Sequence, residues 1–290
     1  MKVLIPILIG LLVVGCGGSK EKVAPKSQAK TDATPKAKAK PKADAKKTEP
    51  PKSTPEKRIV DPILEEAIWD QLRADYREGM DALGDLGLSE EKRNDLHTQT
   101  EAIREKLKQP TGELTKADLE KVTKLNLSSK KLTGVPKGME KLTKLTSLIL
   151  HSNKLTNLKG LENLTQLKDL VLNINQLTDV KELENLTHLT MLYLESNQLA
   201  ELPKGLKKLT QLTELALGYN KLTDVTGLEK LTKLEYLFLY RNDLTNVKGL
   251  EKLTQLTELS LEDNPALTKA QIAELKKALP KCDISSNPKK

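Results

Sequence analysis

The sequence has few aromatic residues, few cysteines and no apolar run long enough to cross a bilayer. Only seven of its 290 residues are aromatic, so we do not expect a cofactor pocket lined by aromatic side chains. The two cysteines are Cys16 and Cys282. The apolar run over residues 3–14 has 12 residues, whereas a transmembrane helix needs about 20. Because aromatic residues are so few, a folded core has to be built mainly from leucine.

Motifs that carry catalytic chemistry are also missing. The sequence has no glycine-rich phosphate loop, no nucleophile elbow and no zinc motif. Its three histidines are His97, His151 and His188. His97 lies on the predicted helical stem and His188 on a loop that leads into a strand, and His151 on the concave side has no Cys, Asp or Glu neighbours at metal-ligand spacing. We therefore predict a protein that is not an enzyme and has no cofactor or metal. Glu258, Glu262 and Asp263 are predicted to form a solvated acidic edge, with weak Ca²⁺ binding as the alternative.

The formal net charge of +8 comes from one segment. Residues 17–58 carry 13 Lys and Arg against 5 Asp and Glu, whereas residues 59–290 carry 34 against 35. The folded part is thus close to neutral and should have no basic face. This distribution argues against nucleic acid as a partner.

The N-terminus has the pattern of a secretory signal: Lys2, a short apolar stretch, and small residues before Cys16. The sequence Val13-Val14-Gly15-Cys16 resembles the bacterial lipobox. The resemblance implies that residues 1–15 are removed and that Cys16 is lipidated, which anchors the protein to a membrane outside the cytoplasm. Because Gly17 rather than an acidic residue follows the cysteine, the resemblance favours the outer membrane or the cell surface.

Two further segments precede the repeats. Residues 16–58 are rich in Lys, Ala and Pro and predict a disordered linker. The linker is interpreted as a spacer or as a basic arm that contacts anionic headgroups or wall polymers. Residues 59–110 carry apolar residues at helical spacing and predict a helical hairpin, with Pro62 in its first turn and Ser89 capping a second helix. This stem either docks on the following domain as an N-terminal cap or self-associates.

Internal repeats dominate residues 111–285. The pattern Leu-x-x-Leu-x-Leu-x-x-Asn recurs six times at 22- or 23-residue spacing, and an earlier copy has Lys130 in place of Asn. The six asparagines are Asn153, Asn175, Asn197, Asn220, Asn242 and Asn264. We expect the leucines to point inward and the asparagines to bond backbone groups at a turn.

These repeats resemble the 22-residue repeats of the internalin family, and those containing Pro136 and Pro203 resemble the 23-residue type of other bacterial leucine-rich-repeat proteins. The resemblance implies an α/β solenoid, curved, with a parallel sheet on its concave side. Thr115 and Thr268 each open a capping box and predict short helices at the two ends. Cys282 and Ile284 predict a last strand, with Cys282 buried, and residues 286–290 form a tail.

The third, fifth, seventh and eighth positions of each motif should face outward on the concave side. Five of the seven aromatic residues fall in these positions, all in the fourth to sixth copies. Aromatic residues and Arg are enriched at interfaces. We define the aromatic patch as Tyr193, Glu195, Glu214, Tyr219, Tyr236, Phe238, Tyr240 and Arg241. It predicts binding of a protein or peptide with a basic and apolar surface, although β-propensity alone also favours Tyr and Phe in strands.

The sequence therefore predicts a membrane-anchored, extracytoplasmic protein-binding module with a monomeric solenoid. The alternative is a structural envelope spacer whose basic linker contacts the cell wall or the membrane surface.

Overall fold

The computed structural model describes residues 61–84 and 114–288, so the predicted signal, linker and second stem helix lie outside the described residues. Eight three-residue strands form one sheet. They are β1 (Lys124–Asn126), β2 (Ser147–Ile149), β3 (Asp169–Val171), β4 (Met191–Tyr193), β5 (Glu214–Ala216), β6 (Tyr236–Phe238), β7 (Glu258–Ser260) and β8 (Asp283–Ser285). Three α-helices accompany them: α1 (Pro62–Gly84), α2 (Lys116–Leu119) and α3 (Lys269–Ala278). Among these residues, no helix is long and apolar enough to cross a membrane.

The strands are parallel and follow the chain order from β1 to β8 without a crossover. Equivalent residues pair directly: Leu148 faces Leu170, which faces Leu192. Each coil therefore adds one strand and returns to the same register. This is a solenoid with a parallel sheet, as the repeats predict.

The core is a stack of leucines. The first, fourth and sixth residues of the motif, such as Leu189, Leu192 and Leu194 in the fourth copy, are fully buried in successive coils. A single coil leaves these side chains exposed on both sides, so neighbouring coils have to cover them. Short 3-10 turns close five of the coils: Met139–Lys141, Lys181–Asn185, Leu206–Lys208, Leu228–Lys230 and Leu250–Lys252.

A ladder of buried asparagines joins successive coils. The Asn197 amide donates to the carbonyls of Leu172, one coil back, and of Leu194, at 3.1 and 3.0 Å. Its oxygen accepts the Leu177 N–H at 3.1 Å. The other five repeat asparagines make equivalent bonds. All six are structural, as predicted, because they satisfy backbone groups that the turn leaves unpaired.

Both ends of the solenoid are covered. The capping boxes predicted at Thr115 and Thr268 are present, and they begin α2 and α3. At the N-terminal end, α1 contacts β1. Its buried Leu64, Ile68 and Trp69 join the leucine core. The first helix of the predicted stem is thus docked on the sheet, and the remainder of the stem lies outside the described residues. At the other end, Cys282 is half-buried rather than buried, and desolvation raises the pKa of its thiol.

Candidate functional site

The sheet places the predicted patch residues on neighbouring strands. The paired third positions are Asp169, Met191, Glu214, Tyr236 and Glu258. The paired fifth positions are Val171, Tyr193, Ala216, Phe238 and Ser260. All eight residues of the aromatic patch lie on β4, β5 and β6 or on the turns that follow them. The structure thus groups these side chains, which are up to 48 residues apart in sequence.

Tyr193 is fixed by a carboxylate on the next strand. Its hydroxyl donates to Glu214 Oε2 at 2.6 Å. Burial, followed by this bond and the charge of Glu214, raises the pKa of Tyr193 to about 12, because these surroundings disfavour a phenolate. The bond holds the ring across the boundary between β4 and β5.

Tyr240 reaches across two coils. Its hydroxyl donates to Glu195 Oε1 at 2.6 Å, and the other oxygen of Glu195 accepts from the Asn173 amide at 3.0 Å. Gly218 lies between them, and a Cβ there would come within 2.7 Å of the Tyr240 ring. Glycine is therefore required for the ring to lie flat over the intervening coil. Burial and the Glu195 bond raise the pKa of Tyr240 well above its usual value.

A second aromatic contact lies at the edge of the sheet. The rings of Tyr219 and Tyr240 meet edge to face, with centroids 5.4 Å apart. The Arg241 guanidinium stacks over Tyr219 at 4.7 Å and bonds Asp263 at 3.0 Å. Such a cation–π contact stabilises both side chains. Arg241 is thus held by two partners within the chain.

The turn after each strand has a left-handed residue at the eighth motif position. The six from β2 to β7 have φ between 52 and 57° and are Ser152, Ile174, Ser196, Tyr219, Arg241 and Asp263. Positive φ turns these side chains outward, and it is strained for a β-branched residue such as Ile174. Ile174 and Tyr219 are the most exposed large apolar side chains in the described part of the chain, at 50% and 44%.

Three of the positions predicted to be exposed are buried. Ala216 and Ser260 are 3% and 7% exposed, and Gly218 is buried as well. Gly218 is covered by the ring of Tyr240, which lies against it. Sequence reasoning missed Asn173, which positions Glu195, and it placed Asp263 in the acidic edge without predicting its bond to Arg241. The only sequence signal for these contacts is that Asn173 and Asp263 occupy motif positions that face outward.

The acidic edge does not gather around a common centre. Glu262 accepts from Ser260, whereas Asp263 binds Arg241 and Asn287. Although burial acts to raise it, hydrogen bonds from Ser260 and Ser285 hold the pKa of Glu262 below its usual value. Within residues 61–84 and 114–288, no group of three or more His, Cys, Asp or Glu side chains could hold a metal ion.

Comparison with known proteins identifies the repeats. Residues 151–282 match a family model described as a leucine-rich repeat region. An internalin C2 from Listeria monocytogenes is 26% identical with a TM-score of 0.53, and the match covers 78% of this chain and 93% of that chain. A second internalin from the same organism is 22% identical with a TM-score of 0.42, covering 79% of this chain and 71% of that chain.

A plant receptor is also similar. It is the leucine-rich-repeat ectodomain of the membrane receptor kinase GASSHO1/SCHENGEN3 from Arabidopsis thaliana, in complex with CASPARIAN STRIP INTEGRITY FACTOR 2. It is 29% identical with a TM-score of 0.51, and the match covers 59% of this chain and 22% of that chain. No curated protein sequence matches significantly. Leucine-rich-repeat solenoids commonly mediate protein binding, and no catalytic family is indicated.

Proposed function

We propose, from the premise that this chain folds as a leucine-rich-repeat solenoid, that it is a membrane-anchored, extracytoplasmic module that binds a protein or peptide. The binding surface is the concave sheet, and the aromatic patch is its centre. The observation that carries this proposal is the grouping of five of the seven aromatic residues on β4, on β6 and on the turns that follow β5 and β6.

The state of these side chains supports a binding role. Tyr193 and Tyr240 are held by carboxylates across coils, and Tyr219 is braced by Arg241. Rings that are fixed before a partner arrives lose little conformational entropy on binding. All five aromatic side chains remain partly or largely accessible. An accessible aromatic cluster on a folded domain is typical of an interaction site.

Charge and fold narrow the kind of partner. Glu195, Glu214 and Glu258 lie among the aromatic rings, so a partner with basic and apolar groups is complementary to this surface. The plant receptor ectodomain has a bound partner in its solved complex, which supports the same role for a solenoid of this fold.

Capture of a partner from envelope extract tests the binding surface. The bait is the full chain, purified from membranes in detergent, and the variant carries Tyr236→Ala with Phe238→Ala. We expect the variant to lose the partner while its unfolding curve stays cooperative, since both side chains are only half-buried. The control carries Lys159→Ser with Lys248→Ser. Both residues are exposed, and they lie in the return segments, the stretches of chain that lead from one strand to the next. Equal capture by all three proteins would contradict a concave-face site.

The membrane anchor rests on Cys16 and the residues before it. We expect Cys16→Ser to move the protein from the membrane fraction to the soluble fraction, because at least two acyl chains hold a protein stably on a bilayer. Mass spectrometry of the N-terminal peptide checks the modification directly. An unmodified Cys16 in membrane-bound protein would rule out this anchor. Separation of the membranes then tests the outer membrane or cell surface as its location.

A further inference from the structure

The concave sheet has a pattern that the aromatic patch alone does not explain. At the third motif position of β3 to β7, acidic residues occur on every second strand: Asp169 on β3, Glu214 on β5 and Glu258 on β7, and β8 adds Asp283 beside Glu258. Met191 on β4 and Tyr236 on β6 separate the acids of β3, β5 and β7, and the strand register places these five residues side by side. Acidic and apolar groups therefore alternate from β3 to β7.

Side-chain size alternates with the same period. The strands with Met191 and Tyr236 also carry the large Tyr193 and Phe238 at the fifth position. The following strands, β5 and β7, carry the small Ala216 and Ser260, which are buried. The sheet surface therefore has aromatic or apolar ridges at β4 and β6. Beside them, β5 and β7 form troughs, each with a carboxylate at one end.

Each acidic side chain beside a ridge is a place for a cation. Glu214 accepts one hydrogen bond, from Tyr193, and a carboxylate has about four lone-pair sites. Tyr236 lies between Glu214 and Glu258, so a cation at either carboxylate is also close to an aromatic ring. No basic residue occupies the third, fifth or seventh positions of β3 to β7. The face is therefore complementary to several separate positive charges.

The spacing selects the conformation of the ligand. Neighbouring strands are about 4.8 Å apart, so acids on every second strand are about 9.6 Å apart. In a polyproline II helix, every third residue lies on the same side and the repeat is about 9.3 Å. An α-helix offers about 10.5 Å between residues seven apart. An extended β-strand turns every third side chain to the opposite face.

Over the two intervals from Asp169 to Glu258, the polyproline II repeat stays within about 1 Å of the acids, whereas the helical repeat departs by about 2 Å. Side chains on the inner side of a curved sheet also converge, which favours the shorter repeat further. An extended ligand is in addition thinner than an α-helix, which measures about 10–12 Å across.

We infer that the ligand of the concave sheet is a polyproline II segment of a protein, with Lys or Arg at every third residue, which crosses β3 to β7 and places one cation at each of Asp169, Glu214 and Glu258. This inference rests on the proposed concave-face binding and adds the sequence pattern of the partner.

Synthetic peptides test the pattern with the full chain. The probe is a fluorescent peptide of repeated Lys-Pro-Pro triplets, and affinity is measured by fluorescence anisotropy. The first comparison peptide has the same composition with its lysines adjacent. The second is an alanine-based helix with lysines seven residues apart. We expect the triplet peptide to bind roughly tenfold more tightly than either, because only its charges match all three carboxylates.

Single substitutions tie the preference to the named acids. Glu258→Gln and Asp169→Asn should each weaken the triplet peptide about threefold, as expected for one accessible ion pair. They should leave the peptide with adjacent lysines nearly unchanged. Glu274→Gln, on α3 and exposed, is the matched control and should change neither affinity.

Equal affinities for the triplet and the adjacent-lysine peptides, or tighter binding of the helical peptide, would overturn the inference. Neither result contradicts the proposed function if Tyr236→Ala with Phe238→Ala still abolishes capture of the envelope partner. A triplet preference reduced about threefold in Glu258→Gln and unchanged in Glu274→Gln supports the inference. The two proposals therefore fail on different measurements.

Discussion

At the scale of single residues, the concave surface is organised by pairs that link coils. Tyr193 bonds Glu214 one coil on, and Tyr240 bonds Glu195 two coils back. Hydrogen bonds between a phenol and a carboxylate are short and strong because the acceptor is charged. These pairs hold both the rings and the acids in place. Two of the five aromatic rings in the patch are therefore hydrogen-bonded in a defined orientation.

The Tyr193–Glu214 pair predicts a pH dependence. The folded-state pKa of Tyr193 is about 12, whereas the unfolded value is about 10. A raised pKa favours the neutral form in the folded state, so the stabilisation is fully present below pH about 10 and is lost as pH rises through about 12. The free energy of unfolding, measured relative to Tyr193→Phe, should fall only in this alkaline range.

Phenolate absorbance provides the matching spectroscopic measurement. The difference between the wild type and Tyr193→Phe should show one tyrosine that ionises near pH 12 in the folded protein. In Glu214→Gln, that ionisation should move to lower pH because the neighbouring charge is gone. Ionisation of Tyr193 at pH about 10, as in a free tyrosine, would show that the hydrogen bond between Tyr193 and Glu214 does not form.

At the scale of elements, the return segments show how one motif takes two conformations. Pro-Lys-Gly occurs at both Gly138 and Gly205. Gly138 is left-handed with φ of 99°, and its N–H donates to Glu140. Gly205 is right-handed with φ of −74°, and Lys207 stands where the carboxylate would be. The glycine is left-handed where a glutamate two residues later accepts its N–H. The glycine is right-handed where lysine replaces that glutamate.

Gly205 is required for a different reason, which predicts a local effect on stability. A Cβ at this position would lie 2.4 Å from the Cβ of Glu184 and 3.1 Å from its Cα. Gly205→Ala should therefore force the neighbouring return segment to shift and destabilise the domain by about 1–3 kcal/mol. Denaturant unfolding measures this loss.

The matched control is Gly134→Ala. Nothing lies within 4 Å of a Cβ at Gly134, so this change should be neutral or slightly stabilising, by about 0.4–1 kcal/mol. If both alanine variants unfolded at the same denaturant concentration, close packing between the return segments would not be the reason for the glycine at 205.

At the scale of the whole molecule, the solenoid is held by contacts between neighbours. Strands pair only with the preceding and following strand, and the two ends are covered by α1 with α2 and by α3. In such a linear array, stability is roughly the sum of the repeats and their interfaces. A defect at one end should therefore open that end first.

Substitutions in the two caps test whether the solenoid opens first at the end that carries the defect. Ile68→Ala removes a fully buried side chain of α1 and should destabilise its surroundings by about 2–5 kcal/mol. Hydrogen exchange should then rise in β1 and β2 and stay low in β6. Leu275→Ala in α3 is the mirror-image control and should act on β8 and β7. A uniform rise across all eight strands would show that the solenoid opens as a single unit.

The repeats, the coil register and the two capped ends are determined by the sequence itself. They could be predicted because their signals are local and recur: buried leucines at fixed spacing, an asparagine at each turn, and Thr115 and Thr268 opening capping boxes. Repetition fixes the strand order as well, since each coil can cover its apolar side only with the next coil. The columns of outward-facing residues follow directly from that register.

Only the tertiary structure decided how those columns are used. The link between Tyr240 and Glu195 spans 45 residues, and it depends on Gly218 leaving room for the ring. The structure also buries Ala216 and Ser260, which the motif positions predicted to be exposed. A repeat pattern specifies where a side chain starts on the sheet. The position of the far end of the side chain depends on the size of its neighbours one and two coils away, and no local signal contains that information.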